Sequence, residues 1–409
     1  MRVMYERCCG LDVHKARITA CVRVPGPDDK RISEVRTFGT TTSELLRLSD
    51  WVMESGCTHV AMEPTGIYWR PVFNILEDVA MVLLVNARDA KNLPGRKTDV
   101  KDCEWIAEML EHGLLRSSFI PPEPIRDLRD LTRYRKSLIG VRADEVNRLQ
   151  KVLETANIKL TSVVTDMMGA SGRSMVKALI AGERDATRLA QMAKGSLKKK
   201  QDALGAAMQG RFRDHHAFIA NQILDHIEQI EEHITECGQR IEECLRPFSE
   251  FESLVQTIPG VRQRGSEGIL AEVGVEMTCF GASGRLASWT GLCPGNNESA
   301  GKRLSGRTRP GNPWLKTLMV ECAWAAIRVK NSYCSALFRR IARRRGPKRA
   351  ILAVAHHLIV SVFYVLAKRE PYRELGSHYF DKLAGDNARK HYVRRLQALG
   401  FHVTLTAAA

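Results

Sequence analysis

Four carboxylates carry the strongest chemical signal in this chain: Asp12, Glu63, Asp99 and Asp102. Asp12 lies in Cys8-Cys9-Gly10-Leu11-Asp12-Val13-His14, which reads as a strand, and Glu63 lies at the end of another, Val60-Ala61-Met62-Glu63-Pro64-Thr65-Gly66. Asp99 and Asp102 are three apart in Lys97-Thr98-Asp99-Val100-Lys101-Asp102, so a helix opening there projects both from one face. Acids at strand tips and on a helix face are what a two-metal phosphodiester site needs. Mg²⁺ takes hard oxygen ligands, and paired ions can hold the attacking and leaving oxygens of a phosphate. Crowded carboxylates repel one another unless a cation lies between them. The plainer reading makes some of them surface acids, and Asp99 and Asp102 ordinary first-turn helix charges.

A serine is the second candidate. Ser299 lies in a loop flanked by Gly301, Lys302 and Arg303, and Ser305 in Leu304-Ser305-Gly306 competes with it. A serine hydroxyl attacks only when its proton is taken or the developing charge is stabilised. Lys302, Arg303, Arg307 and Arg309 are placed to clamp a phosphoryl transition state, and Lys97 and Lys101 suit phosphate contact near the acids. The alternative is a Gly/Ser phosphate-binding loop in which Ser299 only donates a hydrogen bond.

The elements that must position these groups follow from pattern. Residues 7–12, 17–24 and 32–38 read as strands, with Pro25-Gly26-Pro27-Asp28-Asp29 as the turn between the second and third. A helix capped at Thr41 or Thr42, a strand ending at Glu63, a helix through Val72 and Leu76, a strand over 80–85 and a helix from near Asp99 come next. Three antiparallel strands followed by alternating helix and strand is an RNase H-like α/β order. After Pro121-Pro122-Glu123-Pro124 a long helix is expected from Ile125 to about Ala156, with Arg126, Arg129, Arg133, Arg135, Arg142 and Arg148 interleaved among its apolar residues. Ile223, Ile227, Ile230, Ile234, Cys237, Ile241 and Cys244 step by four and three, a heptad seam that serves either a dimer or an intramolecular hairpin. Thr257-Ile258-Pro259-Gly260-Val261 looks like the turn of a helix–hairpin–helix entry, and helices are expected over 314–329, 333–344 and 350–367.

Composition sets the partner class. With 62 Lys+Arg against 46 Asp+Glu in 409 residues, the net charge is +16, which favours a polyanion, nucleic acid first. The charge is clustered, at Lys198-Lys199-Lys200 and between Arg339 and Arg349. Eleven scattered cysteines without a Cys-x-x-Cys pair argue against disulfides and zinc, and for a reducing compartment. The apolar stretch 350–367 follows a basic run and contains His356-His357, so a buried core helix is expected there rather than a membrane span.

The segments Gly10-Leu11-Asp12-Val13-His14-Lys15, Met62-Glu63-Pro64-Thr65-Gly66-Ile67-Tyr68-Trp69, Asn86-Ala87-Arg88 and Lys97-Thr98-Asp99-Val100-Lys101-Asp102 resemble the DEDD transposases of bacterial and archaeal insertion sequences, recombinases guided by a bridge RNA. Thr257-Ile258-Pro259-Gly260-Val261, Trp289-Thr290-Gly291-Leu292-Cys293-Pro294 and Ser299-Ala300-Gly301-Lys302 resemble that family's second signature domain. The resemblance implies three parts: a RuvC-like catalytic domain with a trailing long helix over 1–155, a helical coiled-coil dimerisation region over 156–250, and a serine-bearing transposase domain over 251–409. It implies that Asp12, Glu63, Asp99 and Asp102 bind Mg²⁺ (or Mn²⁺), and that Ser299 is the nucleophile forming a phosphoserine link to DNA. It further implies double-stranded donor and target DNA, a structured bridge RNA and further copies of the chain, as dimer or tetramer, as partners. No membrane is expected; the setting is the prokaryotic cytoplasm, at the nucleoid. The family pattern commonly has glycines after the serine, where this chain has Ala300 first. Competing functions are a RuvC-like hydrolytic nuclease on branched DNA, a non-catalytic nucleic-acid-binding protein, and a structural coiled coil.

Overall fold

A computed structural model describes residues 2–27, 30–85, 102–295 and 297–406. The chain divides into two compact units, Met1–Ile120 and Pro121–Ala409.

The first unit is built on a five-stranded mixed sheet: β1 (Cys8–Val13), β2 (Ile18–Pro25), β3 (Arg31–Phe38), β4 (His59–Met62) and β5 (Met81–Leu84), in the order β3-β2-β1-β4-β5. β1, β2 and β3 run antiparallel, while β4 lies parallel to β1 and β5 parallel to β4. The five strands are those expected from the sequence, with limits within a residue or two, and the mixed sheet is consistent with an RNase H-like domain. The central strand β1 is covered on both faces, and its residues divide by alternation. Cys9, Leu11 and Val13 join a core with Leu45, Leu48 and Trp51 of α1 (Thr42–Glu54) and with Val72, Phe73 and Leu76 of α2 (Trp69–Leu76). Cys8, Gly10 and Asp12 face the other way, where α3 (Asp102–Glu111) packs. At the free edge β3 is mostly exposed and carries Arg31, Glu34 and Arg36, charges that discourage pairing with another sheet.

The approach of α3 to β1 is as close as backbones allow. A Cβ on Gly10 would lie 2.3 Å from the Cys103 carbonyl oxygen and 2.4 Å from the Ala107 nitrogen. Cys8 Sγ lies 3.6 Å from the Ala107 carbonyl oxygen, one step back along β1. α3 therefore runs antiparallel to β1, with Asp102 at the Asp12 end. At its other end the carboxylate of Glu111, 1% exposed, accepts from Arg23 Nε at 2.7 Å and pairs with Arg31, which ties α3 to β2 and β3.

All eleven cysteines are free and seven are buried. Burial pushes the Cys8 and Cys21 thiols up to about 12, so they serve as small apolar side chains beneath α3.

The second unit is helical. The long helix α4 (Glu123–Thr155) lies antiparallel to α5 (Asp214–Leu245), with short helices filling residues 160–207 over a shared core. The heptad seam is in part an intramolecular contact: Ile227, Ile230 and Ile241 are buried, while Ile223, Ile234, Cys237 and Cys244 are only half-buried. Next come α6 (Ser249–Gln256) and α7 (Gln263–Val273), joined by the expected Ile258-Pro259-Gly260 turn. Gly260 has φ +82° and presses on α8 (Pro313–Ala326), where a Cβ would lie 2.3 Å from the Cys322 carbonyl oxygen. α9 (Tyr333–Arg345) and α10 (Pro347–Lys368) follow. Among the described residues α10 is the one helix long and apolar enough to cross a membrane, and more than half of its apolar stretch is buried inside the fold, as a core helix is.

Gly10→Ala places a methyl group into the α3 backbone. A loss of about 2–3 kcal/mol is expected, as for other overpacked contacts, read as a lowered urea midpoint at unchanged m-value.

Candidate active site

Register sets two acids of the first unit side by side. Leu11 stands opposite Met62 in the parallel pair of β1 and β4. The next residues along, Asp12 and Glu63, therefore leave the two strands side by side, about 5 Å apart at the backbone. Both belong to the face that α3 covers, since Gly10 and Ala61, two residues back, lie under that helix. Beyond Glu63 the chain turns at once: Thr65 N donates to the Glu63 carbonyl at 3.0 Å, and Gly66 takes φ +56°. Asp102 opens α3 on the same face and at the same end. Burial raises the Cys103 thiol, and the negative charge of Asp12 adds to the effect, which places Asp12 beside the first turn of α3.

Asp12 Oδ2 is 3.1 Å from His14 Nε2, with the histidine half exposed. Asp12, Glu63 and Asp102 offer hard oxygens on adjacent elements, which is the donor chemistry of a divalent cation such as Mg²⁺. Among the described residues no group of three His, Cys, Asp or Glu side chains closes into a metal cage. The fourth expected acid, Asp99, and the expected phosphate contacts Lys97 and Lys101 lie outside the described residues.

Ser299 belongs to the second unit. In place of the expected loop, the backbone forms a short antiparallel hairpin of β6 (Asn297–Ser299) and β7 (Lys302–Ser305), with Ser299 opposite Lys302. The hairpin has a local cause. Ala300 and Gly301 form a two-residue tip with φ +49° and +75°, the left-handed pair of a type I′ turn. Ser299 is thus the last residue before a tight reversal. The hairpin base is closed by the bridge between Pro294 and Thr308 and by Gly295 N donating to the Arg307 carbonyl at 3.0 Å. Lys302, Arg307 and Arg309 are exposed around it, and Arg303 follows Lys302 on β7. Lys316 Nζ on α8 reaches Thr308 Oγ1 at 3.0 Å, so the base of the hairpin is held by a helix.

The interleaved arginines of α4 are largely structural. Arg133 binds Glu272 of α7 through two hydrogen bonds of 2.7 and 2.9 Å, Arg129 donates to the carbonyls of Ala271 and Glu272, and Arg135 pairs with buried Glu267. Arg142 pairs with Glu231 of α5, and Arg148 with Glu145 one turn back. Except for Arg148, their partners lie 89 to 143 residues away, which local pattern does not show. Sequence reasoning also left Arg344, Arg345 and Arg349 out of the site. They line a cavity together with Arg307 and Thr308 from the hairpin base. Their dense spacing was the available signal.

A mixed sheet in the RNase H-like order, with acids leaving its central strands under a single helix, defines a class of phosphodiester-processing fold. Comparison with known proteins narrows it. Residues 9–158 match the transposase family of DEDD, IS110 type, and residues 252–339 match the transposase family IS116/IS110/IS902. The transposase for insertion sequence element IS1111A of Coxiella burnetii (strain RSA 493 / Nine Mile phase I) is 34% identical over 123 residues, 29% of this chain. The chain spans about a third of that curated relative's length, 34%. The chain belongs to the IS110-type DEDD transposases of insertion sequences.

The tip residue gives a direct check of the hairpin. Alanine at φ +49° costs about 1–2 kcal/mol relative to residues that accept the left-handed region. Ala300→Asn, which writes Asn-Gly at the tip, should stabilise the hairpin by about 1 kcal/mol. Amide hydrogen exchange of β6 and β7 should slow about fivefold, with the rest of the unit unchanged.

Proposed function

We propose that this chain is a DNA recombinase that moves an insertion sequence by cutting and rejoining strands through a covalent phosphoserine intermediate. The observation that carries the reading is the side-by-side exit of Asp12 and Glu63 from β1 and β4, with Asp102 opening α3 over them. Support comes from the two family matches, one on each signature region, and from the +16 charge.

The acids Asp12, Glu63, Asp99 and Asp102 would hold Mg²⁺ or Mn²⁺, which when bound supplies positive charge at the scissile phosphate. Ser299 is the nucleophile. Its Oγ forms a bond to phosphorus as the bond from phosphorus to the 3′-oxygen breaks, and the strand leaves as a 3′-hydroxyl carrying a proton. Attack by the 3′-hydroxyl of another strand reverses the exchange and returns the proton to Ser299. The count of phosphate ester bonds is constant, so the cycle needs no nucleotide hydrolysis. Lys302, Arg303, Arg307 and Arg309 hold phosphates near the hairpin, and Lys97 and Lys101 do so near the acids.

In this reading RNA–DNA pairing with a bridge RNA chooses donor and target, while the protein reads backbone shape and charge. The acids of one copy act with the serine of another, in a dimer or tetramer. The half-buried Ile234, Cys237 and Cys244 of α5 are apolar surface that a second copy would cover. The working parts are those of the family: the RuvC-like catalytic part over 1–155, the helical pairing region over 156–250, and the serine-bearing part over 251–409, acting on DNA in the prokaryotic cytoplasm.

The test is to trap the intermediate under denaturing conditions. Ser299→Ala should abolish the protein–DNA conjugate while duplex binding is kept, and Asp102→Asn should lower strand cleavage by at least about a thousandfold. An undiminished conjugate in Ser299→Ala removes the serine from this role and turns attention to Ser305. Cleavage without any conjugate identifies a water-activating nuclease instead.

A further inference from the structure

The helix corner between α9 and α10 builds a basic cleft of which the proposed reaction uses only Arg307. α9 ends in Arg343-Arg344-Arg345, Gly346 reverses the chain at φ +80°, and Pro347 starts α10, so Lys348 and Arg349 follow within one turn. The cleft enclosed there has a volume of about 1000 Å³. Arg344, Arg345 and Arg349 line it together with Pro294, Arg307 and Thr308 from the base of the Ser299 hairpin. Among the described residues no carboxylate pairs with Arg344, Arg345 or Arg349. This sets them apart from the arginines of α4, whose charges Glu267, Glu272 and Glu231 neutralise. Three adjacent guanidinium groups without counter-charges repel one another, and their planar forks match phosphate oxygens.

We propose that this cleft is the seat of the DNA strand being cut, holding the sugar–phosphate backbone next to the scissile bond. The inference rests on Ser299 acting as the nucleophile, and it adds a position. Pro294 and Ser299 are five residues apart in the chain, so Pro294, at the edge of the cleft, lies at most about 17 Å from the serine backbone. At about 3.4 Å per base pair, the phosphates it grips lie within about five base pairs of the cut. DNA rather than RNA is the occupant because the cleft shares the hairpin's own residues, and that hairpin carries the group that joins to DNA.

The experiment compares the full-length protein with a triple variant, Arg344→Gln, Arg345→Gln and Arg349→Gln, and with the matching triple lysine variant. Binding of a mixed-sequence DNA duplex is measured against salt, with an RNA duplex alongside. Losing three phosphate contacts should lower the slope of log K against log salt by about three, and weaken binding at 0.15 M salt on the order of a hundredfold. The lysine variant should keep most of the slope, which separates lost charge from lost fold. On DNA spanning an element end, neutral methylphosphonates within about five base pairs of the cut should hinder the wild type and no longer hinder the glutamine variant. An unchanged DNA slope, a loss confined to RNA, or interference only at distant phosphates overturns the proposal. If the wild type forms no serine conjugate, the recombinase reading fails, and the salt slopes still report whether the cleft binds DNA.

Discussion

The contact between Gly10 and α3 is the constraint on which the acid edge depends. Here α3 lies almost against the backbone of β1, and this brings its first turn to the end of that strand. The missing side chain at Gly10 permits this approach, and the Cys103 carbonyl and Ala107 nitrogen fill the space a Cβ would take. Glu111, held by Arg23 and Arg31, fixes the far end of the helix. Between these two points α3 has little freedom to slide, so the end of β1 that its first turn reaches is set by Gly10 and Glu111. Parallel register does the rest: β1 and β4 are matched residue for residue from Cys8 and His59 to Leu11 and Met62.

Much of the first unit was legible because its signals are local. The short, mostly apolar run Cys8–Val13 marks a strand covered on both faces, and the apolar spacing of Leu45, Leu48 and Val52 marks a helix with one buried side. Thr41 sits at the helix start as expected, although its hydroxyl makes no capping bond. What local pattern does not contain is pairing across distance. The arginines of α4 read as a solvated helix face, yet the glutamates of Arg133, Arg135 and Arg142 stand on α5 and α7, fixed by how those helices pack. The heptad seam is ambiguous for a related reason. An a/d stripe is the same for an internal neighbour as for a second copy, and α5 uses part of it against α4.

The Ser299 segment shows the opposite difficulty. Its strands are three and four residues long, too short for periodicity, and its tip carries alanine where turn chemistry favours asparagine or glycine. A strained tip is a recurrent feature of functional sites, where surrounding structure holds the conformation in place, and this one directly follows the proposed nucleophile. Here the bridge from Pro294 to Thr308 and the bond from Lys316 to Thr308 supply that support. The clustered charge that sets the whole chain at +16 therefore has two fates: arginines of α4 neutralised inside the helical unit, and arginines at the α9–α10 corner left facing a cleft.

The central claim is that carboxylates distant in sequence meet at one edge of the sheet to hold a divalent cation. Anomalous diffraction from crystals grown with Mn²⁺ tests it most directly. The account predicts a manganese peak within bonding distance, about 2.0–2.2 Å, of carboxylate oxygens from both Asp12 and Glu63. A manganese peak elsewhere, with those two carboxylates turned apart, would contradict it.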